Sequence, residues 1–446
     1  MPKCPREVGA WASVARRRRD GKPESANMKR TYLDNAATSF PKPPGVIEAM
    51  LEYATKLGAS PGRGQYAESR EGARLIRVCR ERLCRLIGGE DPSHVVFTLN
   101  TSDALNLAIK GVARAWRRDH PGRRMRVITT AMDHNSVLRP YRALEEDGAE
   151  VVHIHADAET GVVAPSAVCH AINDDTALVA VNMASNVGGT LQPVEAIGKV
   201  CRKFDVPYLV DAAQSLGHVP VDVGALQADL LAFPGHKGLM GPQGTGGLYI
   251  SPRVLGRVAT TREGGTGSWS EDDSQPTSMP ERFEAGSHNT AGIVGLSASV
   301  AWILEQGVPS LREHELGLIR AALDGLRDGG CRGQAWEARP GPLDGFRLLG
   351  PTDPERRVGV FALVHDDLDP GEIAAMLEAS FGILVRSGLT CAPGAHRTFG
   401  SLDRGGALRF SVGPFVTEDD VRRVVAALGQ IGAEHARAGA GNARAS

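Results

Sequence analysis

A single lysine, Lys237, stands at the end of an apolar run and is followed by a glycine-rich stretch. Residues 230–247 read LLAFPGHKGLMGPQGTGG, and the run at 230–233 has the length and composition of a buried strand. A lysine at the end of a buried strand loses solvent, and this desolvation lowers the pKa of its ammonium group from an ordinary value of about 10.4. Such an amine is nucleophilic near neutral pH, so the stretch predicts a Schiff-base lysine. A lysine in a surface turn is the alternative.

Composition and charge describe a globular chain with no bias toward polyanions. A length of 446 residues is enough for two domains, and a composition of 42% hydrophobic and 23% charged residues is typical of globular proteins with a sizeable core. With 51 basic against 52 acidic residues, the formal charge of -1 gives no field that favours nucleic acid or an anionic membrane. No stretch approaches the roughly 18–20 apolar residues of a membrane span. We therefore expect a soluble protein that acts on small molecules.

The seven cysteines are odd in number and show no short repeated spacing. This pattern argues against a disulfide framework and against structural zinc, so we expect no metal and a reducing, cytoplasmic location. Residues 1–27 include four consecutive arginines at 16–19 but no apolar segment, so they do not make a secretory signal. We interpret them as a disordered extension. A transit peptide is the alternative, although Glu7, Asp20 and Glu24 argue against it.

Strand and helix patterns alternate between residues 95 and 250, which predicts an α/β domain with a mostly parallel sheet flanked by helices. After residue 292 the order changes, and a smaller C-terminal α+β domain is expected. The predicted division is an N-terminal segment at 28–56, a large domain at 57–292, a small domain at 293–436 and a disordered tail at 437–446. The predicted strands are 95–99, 126–130, 151–155, 177–182, 207–210, 229–233, 247–250, 358–364 and 408–412; the predicted helices include 43–57, 70–87, 102–115, 136–147, 293–305, 308–326 and 418–431.

Polar residues directly follow the predicted strands. In open α/β sheets ligands bind at the carboxyl ends of the strands, so these side chains should meet at one edge. Thr101 and Ser102 also begin a helix, whose free N–H groups favour a phosphate. The other residues of this set are His134, Asn182, Asn186, Asp211, Gln214, His236 and Lys237.

Together these groups supply what pyridoxal phosphate requires of a protein. Lys237 supplies the amine, a desolvated Asp211 keeps the pyridine nitrogen protonated, and His134 supplies a flat ring for stacking. Each residue alone has an ordinary alternative, such as a helix cap for Thr101 or Asp211. The joint pattern predicts a pyridoxal phosphate site.

Eight motifs in this order resemble a known family. From about residue 31 to about 430 the chain is similar to the class V aminotransferases and, within them, to the cysteine desulfurase and selenocysteine lyase group. The motifs are YLDNAATS (32–39), FTLNTSDALNLA (97–108), DHNSVLRP (133–140), ASNVGGT (184–190), VDAAQ (210–214), GHKGLMGPQGTGGLY (235–249), FEAGSHNT (283–290) and VRSGLTCAP (385–393).

The resemblance implies a pyridoxal phosphate transferase of fold type I and a role for each matching residue. Lys237 would carry the cofactor, His134 would stack on its ring, and Asp211 would pair with the pyridine nitrogen. Gln214 would contact the phenolic oxygen. The phosphate would be held by Thr101, Ser102 and His236, with Ser287 reaching in from the other subunit of a homodimer.

The substrate and the subtype depend on further residues. By the resemblance Asn186 and Arg409 hold the substrate carboxylate, and an arginine fork suits a carboxylate on chemical grounds; Arg386 is a further candidate. Cys391 lies five residues beyond Arg386 in a loop, where a nearby cation and exposure would favour its thiolate. The family's active cysteine holds this place. Packing as a small apolar residue is the alternative reading of Cys391.

Three features, at four positions, depart from the family pattern. Pro234 replaces a hydroxyl that usually contributes to the phosphate site, and Tyr66 stands where close relatives have histidine. Leu389 and Thr390 replace a pair of histidines before the cysteine.

These observations predict a homodimeric enzyme that converts L-cysteine to L-alanine and leaves a persulfide on Cys391 for a sulfur-acceptor protein. Lys237 would remove the Cα proton, and His134 is the candidate proton carrier. The alternatives are a selenocysteine lyase and a class V aminotransferase or other pyridoxal phosphate lyase in which Cys391 is incidental. A non-catalytic protein that retains the fold for partner binding is the alternative from another class.

Overall fold

The computed structural model describes residues 29–62, 64–267 and 271–443. The predicted N-terminal extension at 1–27 and the last three residues of the predicted tail lie outside this part of the chain. The strands are β1 (Thr31–Tyr32), β2 (Val95–Thr98), β3 (Arg126–Thr130), β4 (Glu150–Ile154), β5 (Thr176–Asn182), β6 (Tyr208–Asp211), β7 (Leu230–Pro234), β8 (Gly246–Ile250), β9 (Phe346–Leu349), β10 (Val360–His365), β11 (Ile383–Leu384), β12 (Arg386–Gly388) and β13 (Ala407–Ser411).

Eleven α-helices accompany these strands within the described residues. They are α1 (Val46–Glu52), α2 (Ala67–Leu86), α3 (Thr101–Asp119), α4 (Asn135–Glu146), α5 (Pro165–Ala171), α6 (Val194–Lys203), α7 (Thr290–Gln306), α8 (Val308–Asp328), α9 (Pro370–Phe381), α10 (Pro393–Thr398) and α11 (Glu418–Ala443).

The central sheet has seven strands in the order β2-β8-β7-β6-β5-β3-β4. Only β8 is antiparallel to its neighbours, β2 and β7; the other pairs are parallel. Successive residues of β7 face opposite sides, because Leu230 and Ala232 join one apolar core while Leu231 and Phe233 join another. The sheet is therefore buried on both faces, as expected when helices cover a mostly parallel sheet. This confirms the predicted α/β class.

The C-terminal part contains a four-stranded antiparallel sheet in the order β12-β13-β10-β9. It has its own apolar core, which includes Leu316, Phe361 and Phe410. The N-terminal segment joins this part of the chain, since β1 pairs in parallel with β11. The predicted small α+β unit is thus present, and β9 and β12 are strands that the sequence patterns did not predict.

Some predicted boundaries differ from the structure. The helix expected at 43–57 begins only at Val46, after Pro43, Pro44 and the left-handed Gly45, and becomes a π-helix over Tyr53–Leu57. The expected domain boundary at 292/293 falls inside α7, whose Ile293 and Leu296 pack in the core of the large domain. The division into two domains itself remains a prediction.

The structure places residues 437–443 of the predicted disordered tail in a helix. Helix α11 runs from Glu418 to Ala443, well beyond the predicted end at 431. The high helix propensity of its alanines and arginines outweighs the low propensity of its glycines. Thr417 caps this helix, since its Oγ1 accepts a hydrogen bond from the Asp420 backbone N–H at 3.3 Å.

Within residues 29–62, 64–267 and 271–443, no single helix has the length and hydropathy of a membrane span. Helices α7 and α8 meet that criterion only as a pair, and they are bent by 81° where they join.

Candidate active site

A cleft opens at the carboxyl edge of the central sheet. This is the edge at which the sequence predicted the post-strand residues to meet. Of the thirteen residues that the sequence predicts for the site, nine line this cleft, and the other four are Ser287, Arg386, Cys391 and Arg409. The lining consists of Asn100, Thr101, Ser102, His134, Ser136, Asn182, Ala184, Asn186, Asp211, Ala213, Gln214, His236 and Lys237.

Lys237 reaches the cleft from the turn that follows β7. This turn requires glycine on both sides of the lysine. A Cβ at Gly235 would lie 2.0 Å from the Thr245 hydroxyl, and a Cβ at Gly238 would lie 2.3 Å from the Leu216 carbonyl. Burial lowers the pKa of the Lys237 amine from 10.5 to about 8, opposed by the charge of Asp211. The amine is therefore close to the protonation balance that a Schiff-base lysine needs.

Asp211 ends β6 beside Lys237. Its Oδ1 accepts a hydrogen bond from the Ala213 backbone N–H at 2.9 Å. Burial raises the pKa of the carboxyl group, while that hydrogen bond and the positive charge of Lys237 lower it. A carboxylate desolvated in this way gains strongly from a cationic N–H partner, as a pyridinium would provide.

His134 is held as a neutral imidazole. Its Nδ1 accepts a hydrogen bond from the Ser136 backbone N–H at 3.1 Å, so the ring proton lies on Nε2. Burial and the charges of Lys237 and Arg386 lower the pKa of His134 to about 4. The Ser136 hydroxyl lies 2.9 Å from the same Nδ1 and 2.7 Å from the Ser102 hydroxyl, which joins the ring to the start of α3.

The part of the cleft at the N-terminus of helix α3 suits an anion. Helix α3 begins there with Thr101 and Ser102, and Asn100 caps it by accepting from the Asp103 N–H at 3.0 Å. The remaining free N–H groups of this turn attract negative charge. His236 adds a buried Nδ1 with no hydrogen-bond partner. Pro234, the last residue of β7, offers no hydroxyl.

These residues fit pyridoxal phosphate. The cleft combines a desolvated amine, a buried carboxylate, a helix N-terminus and an unpartnered histidine nitrogen, which match the aldehyde, ring nitrogen and phosphate of that molecule. Gln214 also lines the cleft, and its amide nitrogen donates to the Ala36 carbonyl at 2.9 Å. No group of three or more His, Cys, Asp or Glu side chains suited to a metal occurs in the described part of the chain.

Cys391 lies in a loop that is tied to the large domain. Thr390 and Cys391 both have left-handed backbones, with φ of 44° and 59°. The Asn186 side-chain amide donates to the Thr390 carbonyl at 2.6 Å, and the Asn135 backbone N–H donates to the Cys391 carbonyl at 2.8 Å. Each such backbone costs roughly 1–3 kcal/mol unless its surroundings hold it, and these two hydrogen bonds do so. The Cys391 side chain is exposed.

The two arginines are neighbours across β12 and β13, where Arg386 pairs with Arg409. Arg409 is buried; it donates to Asp34 Oδ1 at 2.7 Å and to the Asn186 carbonyl at 3.2 Å, and its Nε has no partner. Arg386 is exposed. Neither lines the cleft, but the charges of both lower the pKa of Lys237, and that of Cys391 raises it. Asn186 lines the cleft and contacts both Arg409 and the Cys391 loop, so the structure places the arginine pair and this loop next to the cleft.

Ser287 and Tyr66 do not reach the cleft of their own chain. Ser287 lies exposed just before α7, between Gly286 and His288. Tyr66 is exposed at the start of α2.

Sequence reasoning missed several residues that support the site. Asp133 is fully buried and accepts hydrogen bonds from Thr129, Thr130 and the Asn182 backbone, fixing the turn that carries His134. Asp34 orients Arg409. The motif letters around His134 and in YLDNAATS include both residues, but only the fold shows what they contact.

The fold and the site define a pyridoxal phosphate enzyme of the aminotransferase type. The family model described as aminotransferase class-V matches residues 31–424, and the chain belongs to this family. Members of the family use pyridoxal phosphate, so this is the cofactor of the chain.

The relatives narrow the class. A probable cysteine desulfurase of Methanothermobacter thermautotrophicus is 35% identical over 402 residues, covering 90% of this chain and 94% of the relative. A probable cysteine desulfurase of Pyrococcus abyssi is 33% identical over 366 residues, covering 81% of this chain and 84% of the relative. The apo structure of a cysteine desulfurase from Thermococcus onnurineus NA1 superposes with a TM-score of 0.80 at 32% identity, covering 90% of this chain and 94% of that one. The chain groups with cysteine desulfurases within its family.

Proposed function

We propose that this protein is a cysteine desulfurase that converts L-cysteine to L-alanine and takes the sulfur onto Cys391. The observation that carries the proposal is the Cys391 loop. A solvent-accessible thiol is held beside the lysine cleft by hydrogen bonds from Asn186 and Asn135. An aminotransferase needs no such thiol, whereas sulfur removal needs a nucleophile.

The residues of the cleft supply the proton chemistry. When bound through Lys237, pyridoxal phosphate supplies an electron sink that makes the Cα proton of an amino acid removable. With a pKa of about 8, the Lys237 amine can accept that proton and return it near neutral pH. Asp211 holds the ring nitrogen in its protonated state, and the neutral His134 presents its Nε2–H as a donor.

The sulfur step balances without an external oxidant. The Cys391 thiolate attacks the substrate sulfur, an S–S bond forms, and the Cβ–S bond breaks with its electron pair remaining on carbon. The proton released by the Cys391 thiol then completes the alanine methyl group, and the substrate's S–H proton stays on the persulfide. Cysteine and the Cys391 thiol thus give alanine and a Cys391 persulfide, which a thiol reductant or an acceptor protein would consume.

The substrate carboxylate has a cationic partner at the cleft mouth. Arg409 carries an unpartnered Nε, and Arg386 is its exposed cross-strand neighbour. Asn186 already donates its amide to Thr390, so a carboxylate that binds Asn186 has to share that amide with the Cys391 loop. This arrangement would link substrate binding to the position of the thiol.

A homodimer is the second part of the proposal. Ser287 is exposed and lies outside the cleft of its own chain, as expected if it serves the phosphate site of a partner subunit. Large apolar side chains that are more than half exposed would be covered in such a dimer. They are Phe40, Ile47, Leu51, Tyr66 and Leu99. We also propose a cytoplasmic location, where the six free cysteines of the described chain stay reduced.

The test is product analysis. Purified holoenzyme with L-cysteine and dithiothreitol should release alanine and sulfide in equal amounts. Amino transfer to a keto acid without sulfide would replace the proposal with an aminotransferase, and turnover of L-selenocysteine alone would replace it with a selenocysteine lyase. Sedimentation of the holoenzyme should give a dimer; a fully active monomer would contradict the role of Ser287.

A further inference from the structure

Asn182, the last residue of β5, has a buried side-chain oxygen without a partner. The residue lines the cleft, and its Oδ1 is the only atom of the side chain that no described group satisfies. A buried amide oxygen left unpaired costs roughly 1–3 kcal/mol, so a native protein seldom keeps one without a ligand or water for it.

The orientation of this amide is fixed. Its Nδ2 donates to the Met132 carbonyl at 2.9 Å and to the Ala184 carbonyl at 3.4 Å. A flipped amide would place two oxygens against each other at these contacts, so the nitrogen must face the carbonyls. The backbone N–H of Asn182 is held as well, by Asp133 Oδ1 at 2.7 Å. Oδ1 is therefore preorganised as an acceptor.

The neighbour of Asn182 shows what donor it would meet. In the sheet Asn182 is directly opposite Asp211, on adjacent parallel strands. Side chains at paired positions point to the same face, and such strands lie about 4.8 Å apart. The free oxygen of Asn182 and the carboxylate of Asp211 thus face one region of the cleft, where both groups accept hydrogen bonds.

We propose that Asn182 is a cofactor-binding residue, whose carbonyl oxygen shares with Asp211 the protonated ring nitrogen of pyridoxal phosphate. A neutral acceptor next to the carboxylate adds a second contact for the N–H without adding a second negative charge. The inference rests on the cofactor and on no step of the desulfurase reaction, so an absence of alanine production would leave it standing.

The test measures cofactor affinity. Apoenzyme titrated with pyridoxal phosphate should show a dissociation constant about 10 to 100 times higher in Asn182→Ala than in the parent, the range for a lost hydrogen bond to a charged group. Gln192→Ala is the matched control, because Gln192 is a buried amide with both ends paired, to Val163 and Gly161, outside the cleft. It should bind the cofactor like the parent.

A ring analogue separates binding from structural damage. With a pyridoxal phosphate analogue that carries C–H in place of the ring nitrogen, Asn182→Ala and the parent should bind with the same affinity. Equal losses for the cofactor and the analogue, or no loss for either, would overturn the proposal. Should the alanine variant fail to fold, Asn182→Leu serves instead: leucine has nearly the size of asparagine but no acceptor, so it should lower affinity for the cofactor and leave that for the analogue unchanged. Equal affinities of Asn182→Leu and the parent for the cofactor would also overturn it.

Discussion

The rate at which pyridoxal phosphate loads onto the apoenzyme should depend on pH through Lys237. Only the unprotonated amine attacks an aldehyde, so the rate should rise with pH and level off above the pKa of this lysine. Burial sets that pKa at about 8 instead of 10.5. The midpoint of the loading curve is therefore expected near pH 8.

The size of the effect follows from the same two values. At pH 7 a lysine with a pKa of about 8 is unprotonated in roughly one molecule in ten, whereas one with a pKa of 10.5 is unprotonated in roughly one in three thousand. The cleft therefore increases the reactive fraction by about 300-fold. Asp211 opposes the shift and Arg386 contributes to it, so Asp211→Asn should lower the midpoint and Arg386→Gln should raise it.

Stopped-flow absorbance of the apoenzyme between pH 6 and 10 measures this curve. Dividing each rate by the rate constant of the free amine of N-acetyl-lysine with the same aldehyde, already corrected for the fraction of that amine unprotonated at each pH, removes the titration of the aldehyde and keeps that of Lys237. Lys199→Gln is the control, because Lys199 lies exposed in an ion pair with Glu195 and should leave the curve unchanged. A midpoint at pH 10 or above, or one that ignores both charge variants, would refute the role assigned to burial.

Three further changes have defined outcomes. Lys237→Ala should abolish the borohydride-reducible adduct with the cofactor, and survival of that adduct would move the assignment to another lysine. Asp211→Asn should still bind the cofactor but lose most turnover, because an uncharged amide does not keep the ring nitrogen protonated; near-normal alanine production would remove Asp211 from its role. Glu284→Gln should lower the free energy of unfolding by about 3 kcal/mol, since it breaks a buried pair with Arg80, whereas Glu263→Gln in the solvent-exposed pair with Arg114 should have a much smaller effect; equal effects in a denaturant titration would contradict this.

The sequence located the strands of the large domain and the edge where ligands bind, because buried parallel strands have continuous apolar runs and their ends carry polar residues. Lys237, Asp211 and His134 could be found in this way. Short strands such as β9 and β12 could not, because their pairing partners decide their structure. Helix α7 shows the same limit: its pattern predicts a helix, but only its packing assigns it to the core of the large domain.

Contacts between side chains from distant parts of the sequence were the hardest to predict. The sequence places Asn182 among the polar residues at the strand ends, but its unpaired oxygen emerges only when Met132 and Ala184 are brought to its nitrogen. The same is true of Asn186 and Asn135, which hold the Cys391 loop from distant parts of the sequence. Such contacts depend on tertiary structure, which a motif does not encode.

The sulfur on Cys391 is the most direct test of the proposed reaction. Holoenzyme treated with L-cysteine and digested without reductant should carry one extra sulfur atom on the peptide that contains Cys391. Cys391→Ser should keep the cofactor spectrum but lose sulfide and alanine production, because a hydroxyl is far less ionised and less nucleophilic than a thiol at pH 7. Cys169→Ser, at a cysteine outside the cleft, should behave like the parent. Production of alanine and sulfide by Cys391→Ser at the parent rate, with no added sulfur on the parent peptide, would contradict the account.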